Sequence, residues 1–288
     1  MAALAAIGFS FKAILIKLAY PYGVDAVTLL ALRMAFSLPV YVAVGWNESR
    51  KGTHPPLTRL EHWQLIGLGI AGYYGASYLD FLGLQYITAG LERVVLYAYP
   101  TLVVILSFFV FGRRIGKREA AALVLSYAGI GLAFFHDMRA GGDQQQVILG
   151  GALVFGSALA YAVYLVGNGH LAAKLGAARF TALAMIWSAA AVLLQFVLTR
   201  PLSALALPWE VYGLSIAMAL FSTVLPTFMI SAGIRHIGAQ RVGLIGTIGP
   251  VATIFFGAWL LDEPVSAVQL VGAALVILGV VLVAYRRR

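Results

Sequence analysis

Apolar runs broken by short polar turns fill almost the whole chain. Ten can be marked: 2–20, 26–45, 62–82, 88–111, 119–135, 147–168, 180–199, 209–232, 238–260 and 266–285. A helix needs roughly 20 predominantly apolar residues to cross the hydrocarbon core of a bilayer, and most of these runs reach or approach that length. The connections are short, apart from the polar stretch 46–61 with Pro55-Pro56 and the GGDQQQ-containing stretch 136–146. Neither is long enough for a soluble domain. Unpaired backbone groups are too costly in lipid for irregular or open-edged structure, so the pattern predicts an all-α integral membrane protein of ten transmembrane helices.

The pattern also repeats. Shifting the numbering by 150 lays Gly83 on Gly233, Ile87 on Ile237, Ala89 on Ala239, Pro100 on Pro250, Leu125 on Leu275, Gly129 on Gly279 and Leu132 on Leu282, with no gap. Two five-helix repeats are therefore expected, 1–135 and 147–288, joined by a linker at 136–146. Five is odd, so the second repeat is inverted relative to the first. Paired halves of this kind point to a transporter.

Composition strengthens the class: 61% of the 288 residues are hydrophobic and 11% charged, against roughly 25% charged in soluble domains. The net charge of +9 is not a sign of nucleic acid, because Lys and Arg accumulate in cytoplasmic loops. With the N-terminus inside, the inner loops and tail carry Arg50, Lys51, Arg59, Arg113, Arg114, Lys117, Arg118, Lys174, Arg179, Arg235, Arg241, Arg286, Arg287 and Arg288, and the outer loops only Arg139 and Arg200. Both termini are expected in the cytoplasm and the protein in the inner (plasma) membrane. The first segment lacks a basic leader and a small-residue cleavage pattern, so it is expected to be a retained span rather than a signal peptide.

Pro250, Glu263 followed by Pro264, Gly272 and Gly279 resemble the second repeat of EamA-type carriers of the drug/metabolite transporter superfamily. The run from Ala26 to Val40 resembles the second helix of the first repeat, which carries an arginine, here Arg33. The first repeat departs from the pattern in having Arg113 where an acidic residue would stand. The resemblance implies ten helices, inverted repeats and the export or exchange of a small metabolite. Within the family the chain looks most like bacterial amino-acid exporters, including those for aromatic amino acids.

Charges inside the predicted spans are the first candidates for chemistry, because each costs about 2.5–3.5 kcal/mol at mid-bilayer. Lys12 lies in the middle of the first span and is a candidate for a substrate carboxylate or for a structural partner. Lys17 is near the outer end, where snorkelling is expected. Arg33 is read as structural. Asp80 is the carboxylate well inside a predicted helix, able to take a proton or to pair with Lys12 or Lys17. Glu92 and Arg93 open the fourth span and are expected to be solvated. The first span has no acidic residue, so a lysine-bearing first helix suits a solute with a negative group.

Tyrosines below the interface need a partner for the hydroxyl and tend to face polar cavities. Tyr74 and Tyr78 share a helix face, Tyr97 and Tyr99 precede Pro100, and Tyr161 and Tyr164 form a stripe with Asn168; Trp187 is mid-span. These aromatics join Lys12 and Asp80 as candidate substrate contacts, with an interfacial aromatic belt as the alternative. Pro39, Pro100, Pro226 and Pro250 remove backbone bonds and are candidate hinges or static kinks. Gly67, Ala71 and Gly75 form a small-residue row of the kind found at close helix contacts.

Enzyme signatures are absent. There is no cysteine, no ATP-binding motif, and His54, His62, His136, His170 and His236 show no metal-ligand spacing. A lipid-modifying membrane enzyme would need facing carboxylates or histidines, which the sequence does not reveal. The expectation is a secondary carrier, not an enzyme, without cofactor or metal. Its partners would be a small-molecule solute, foremost an amino acid, and membrane lipid, with no nucleic acid, and it would be a monomer. Export of drugs, nucleosides or sugar derivatives is the alternative. The charge asymmetry is checked by topology reporters: a fluorescent protein fused at Arg288 is expected to fluoresce in the cytoplasm, and an alkaline phosphatase fused there to be inactive.

Overall fold

The structure is a computed structural model that describes residues 1–51, 55–139 and 143–284. The tip of the polar loop with His54, the centre of the expected linker (140–142) and the basic tail lie outside the described residues, as do the side chains of His170 and Arg235. No strand occurs among the described residues. The helices are α1 (Ala2–Tyr22), α2 (Ala26–Arg50), α3 (59–83), α4 (Ala89–Phe111), α5 (Lys117–Arg139), α6 (Gln144–Gly167), α7 (Ala177–Thr199), α8 (209–237), α9 (239–261) and α10 (Ala267–Ala284), with a short helix Gly169–Leu175 leading into α7.

Their ends follow local chemistry. Asp25 caps α2 by accepting from the Val27 and Thr28 amides at 2.9 and 3.3 Å. Thr58 and Glu61 make a reciprocal capping box at α3, and the Thr88 hydroxyl caps α4 at the Leu91 amide, 3.1 Å. Such caps satisfy amide groups that the first turn leaves unpaired.

Among the described residues, nine helices are long and apolar enough to cross a membrane. The tenth expected span, α3, is a continuous helical run but is not among them; its apolar stretch 65–82 is diluted by Ser77, Asp80, glycines and tyrosines.

The 150-residue offset reappears in fine structure. Helix α3 begins at Arg59 and α8 at Trp209. Both contain one π-helical turn, Ile70–Gly75 and Leu220–Val224. Both α4 and α9 break, after Leu96 and after Gly246. Both then end in a left-handed residue, Gly112 at φ 64° and Asp262 at φ 53°. Packing obeys the same pseudo-twofold. Helix α1 packs on α8 and α9 as α6 packs on α3 and α4, while α2 meets α7 and α5 meets α10.

The α5–α10 crossing shows why the repeated glycines are there. A Cβ on Gly272 would lie 2.7 Å from the Gly129 carbonyl oxygen, and one on Gly279 would lie 2.8 Å from that of Ala122. These are backbone-to-backbone contacts that no side chain can vacate. The expected small-residue row on α3 does not behave this way. Gly67 is exposed with nothing near its Cβ position, and the close approaches are made by Gly69 against the Ala184 backbone and by Gly72 against the Tyr164 ring.

Gly129→Val is expected to cost about 1–3 kcal/mol by overpacking this crossing. Gly131→Val, where nothing lies within 4 Å, is expected to be neutral. Thermal unfolding of the detergent-purified variants measures the difference.

Candidate functional site

The two broken helices meet at the centre of the molecule. The Tyr97 hydroxyl, at the break in α4, donates to the carbonyl of Gly246, at the break in α9. Ser10 of α1 reaches the Gly249 carbonyl at 3.0 Å. Pro100 and Pro250 sit just beyond these breaks. Pro226 follows the π-turn of α8, and Pro39 lies within an unbroken helix.

Beside this junction lies a cavity of about 600 Å³. Its lining begins at Ala2 and Ala6 of α1, Asn168 and Ala172 after α6, and Val242 of α9, all on the face that carries the N-terminus. It ends at mid-depth on Lys12, Arg33, Ser77 and Arg93. Tyrosines form the wall. Tyr73 and Tyr164 meet edge-on with ring centroids 4.9 Å apart and hydroxyls 3.2 Å apart. Tyr99 meets Tyr161 at 5.2 Å, and Tyr97 and Tyr164 continue the chain of rings.

The deep end is ionic. Lys12 Nζ lies 2.6 Å from Asp80 Oδ2 and 4.0 Å from Glu92 Oε1. Arg93 donates to the Phe9 carbonyl at 2.7 Å and has its Nε 3.6 Å from Glu92. Arg33 donates to Ser77 at 2.9 Å and lies over the Phe81 ring, 4.9 Å from its centroid. Three cations thus face two carboxyls. Charges this far from water are expensive unless paired and hydrogen-bonded.

Beyond this cluster the opposite face is closed. The Tyr20 hydroxyl donates to the Phe81 carbonyl. Glu263, from the turn between α9 and α10, accepts from the Ala89 and Gly90 amides at 2.8 and 3.3 Å and lies 3.9 Å from Lys17. It therefore caps α4 from the other half of the chain, where the helix dipole favours an anion. Burial pushes its carboxyl above the ordinary range, against the pull of the Ala89 amide and Lys17. Arg200 pairs with Asp25 at 3.0 Å.

Of the residues singled out in the sequence, Lys12, Tyr97, Tyr99, Tyr161 and Tyr164 line this cavity, and Asp80 sits behind Lys12. Tyr74 and Tyr78 do not. They stack on each other and pack on the apolar core, because the cavity face of α3 carries Tyr73 and Ser77, one position earlier and about 100° round the helix. Trp187 is 41% exposed on the outside of α7, roughly 200° round from the lining residue Met185. Glu92 and Arg93, expected in solvent, are 0% and 5% exposed. Lys17, expected to snorkel, points to Glu263. Arg33 keeps its structural bond and also lines the cavity. Sequence reasoning missed Tyr73 as a wall residue; only its neighbour's i,i+4 spacing was visible. Among the described residues no three His, Asp or Glu are placed to hold a metal.

Symmetric helical halves around a polar, half-open cavity define a multi-pass membrane transporter. The chain belongs to the EamA-like transporter family, which it matches over residues 1–135 and 148–285. It is 29% identical over 294 residues to the uncharacterized transporter YcbK of Bacillus subtilis (strain 168), covering 97% of this chain and 90% of that protein. It is 23% identical over 266 residues to the uncharacterized transporter sll1319 of Synechocystis sp. (strain ATCC 27184 / PCC 6803 / Kazusa), covering 90% and 79%. A protein of known crystal structure superposes with a TM-score of 0.64 at 20% identity, covering 98% of this chain and 96% of that one, which shows the shared fold.

The closed face has a pH signature. Burial raises the Asp25 carboxyl, but hydrogen bonds from Thr28 and Arg200 outweigh it and hold the group below its ordinary value. The stability it contributes is present above the unfolded value near ~3.9 and is lost as pH falls through the lowered folded value. Asp25→Asn, which keeps a cap but loses the charge, is expected to melt lower than the unaltered protein at pH 7, with the gap closing in acid. Unfolding midpoints across pH measure this.

Proposed function

We propose that this carrier exports small metabolites bearing a carboxylate, foremost amino acids including aromatic ones, across the bacterial inner membrane by alternating access. The observation that carries the reading is the excess of positive charge at the closed end of a tyrosine-walled cavity. A carboxylate entering from the open face meets Lys12, Arg33 and Arg93, while an organic cation meets like charge in a medium of low dielectric. Tyrosine rings offer apolar faces to an aromatic or aliphatic side chain and hydroxyls to its polar groups. A volume of about 600 Å³ is in the usual range for small-molecule sites.

The pseudo-twofold supports alternation. The cavity reaches one face while Glu263, Lys17 and the Asp25–Arg200 pair close the other. Rocking the halves about the junction of the broken helices would exchange open and closed faces with little change inside each half. Among the described residues, the neighbouring carboxyls Asp80 and Glu92 are the arrangement that favours catalysis on a lipid instead. They lie behind Lys12, off the cavity lining, and are fully buried, which favours transport. The relatives are likewise named as transporters.

The test is uptake of labelled phenylalanine, leucine, an organic cation and a nucleoside into liposomes holding the purified protein. Saturable amino-acid transport is expected. Lys12→Gln is expected to reduce it about tenfold or more, the scale of a lost charge-assisted hydrogen bond, while the variant still elutes as a single folded species. Transport of the cation or nucleoside and not of the amino acids would replace this reading with the drug or nucleoside alternative.

A further inference from the structure

Asp80 and Glu92 come from different helices, α3 and α4, yet both carboxyls lie against one ammonium, Lys12 Nζ, at 2.6 and 4.0 Å. Both Glu92 oxygens are buried without a hydrogen-bond donor, as are both Asp80 oxygens by the strict geometry of such a bond. The nearby cations do not remove the need. Lys12 is close to Asp80 but 4.0 Å from Glu92, and Arg93 stands 3.6 Å off while bonding the Phe9 carbonyl. Glu92 is therefore the buried carboxyl with the least compensation, a group that a proton can neutralise when a neighbouring positive charge withdraws.

We propose that Asp80 and Glu92 form a proton-binding site that is ionised at rest, with Lys12 beside it, and that takes up and releases one proton in step with the solute. This rests on the carboxylate-binding reading of the cavity. Lys12 is the link, since it lines the cavity at 15% side-chain exposure while the carboxyls behind it are at 1% and 0%. A solute carboxylate that draws the Lys12 ammonium toward the cavity leaves the pair short of one positive charge, and a proton from the open face takes its place. One solute carboxylate and one proton enter, the cluster's net charge is unchanged, and no covalent bond other than the O–H is made. Release on the other face reverses both steps. Solute and proton therefore travel in the same direction, so export runs on the solute's own gradient and carries a proton out.

The charged and titratable groups facing the pair are Lys12 and Tyr20 from α1, Arg33 from α2, and Arg93 and Tyr97 from α4. Helix α5 brings Asp137 to the capping residue Thr88, at 2.8 Å. Among the described residues of α6, α9 and α10 that pack on the start of α4, none is charged. Lys12 is the member of this set that both touches Asp80 and lines the cavity.

Two measurements test the site. The first needs no transport: infrared difference spectra of the purified protein at neutral pH, with minus without 3-phenylpropionate, are expected to gain the carbonyl stretch of a protonated buried carboxyl, a change lost in Glu92→Gln. Absence of that gain in unaltered protein shown by calorimetry to bind the probe would overturn the proton uptake. The second uses proteoliposomes with labelled phenylalanine and 3-phenylpropionate as probes and an entrapped pH dye. Acid outside is expected to speed uptake several-fold over exchange at equal pH, with acidification inside, and Glu92→Gln to bring that ratio close to one. Transport indifferent to the pH gradient, or a variant that keeps the full ratio, would overturn the coupling while sparing the solute reading. Failure of both carboxylates to move at any pH would overturn the solute reading, and the coupling with it.

Discussion

Burying five ionisable side chains at mid-depth is the constraint that the rest of this molecule accommodates. Each would cost about 2.5–3.5 kcal/mol alone in the centre of a bilayer. They are tolerable because α1, α2, α3 and α4 converge to pair them: Lys12 with Asp80 and Glu92, Arg93 with Glu92 and the Phe9 carbonyl, Arg33 with Ser77 and the Phe81 ring. The surplus is one cation. All three cations of the cluster, Lys12, Arg33 and Arg93, line the cavity that opens on one side. The tyrosine wall lies on one side of this cluster and the seal formed by Glu263 and Lys17 on the other.

The halves share a plan but not their chemistry. Both have a π-turn, a broken helix and a left-handed turn at positions 150 apart, and the broken helices are tied where Tyr97 meets Gly246. The ends of those broken helices differ. Glu263 reaches from one half to cap α4 in the other, with Lys17 beside it. The equivalent of Glu263 in the first half is Arg113, exposed in its turn, and a cation cannot cap the start of α9, where the helix dipole is positive. The cap that helps close this face therefore has no counterpart in the equivalent turn of the first half. This is a physical role for the Glu-Pro turn that made the second repeat recognisable.

Much of the architecture could be read from the chain because it depends on properties that act along the chain. Apolar length marks spans, the offset of Gly129 and Gly279 marks the repeat, and matched prolines mark the two broken helices. Even so, α3 fell short of the hydropathy of a span, since the residues that build the site, Ser77 and Asp80 among them, are the ones that dilute it. Lys12 stood out because a charge deep in an apolar run is costly. Glu92 and Arg93 did not, because they lie near the start of a span, where the sequence cannot distinguish solvent from a neighbouring helix.

What the sequence determined by itself was the membrane class, the two repeats and the presence of uncompensated charge in the first helix. What only the tertiary structure decided was which faces meet. The i,i+4 spacing of Tyr74 and Tyr78 guaranteed that they share a face of α3, but not that the face one position earlier, with Tyr73 and Ser77, would line the cavity. Nor could it place Trp187 on the outside of α7. Asp80 and Glu92 are twelve residues apart on separate helices, and they come to one place against Lys12 of α1. Helical periodicity fixes neighbours within a helix. Rotation about the helix axis is set by packing against the others, and in this protein that rotation is what turns scattered charges into a site.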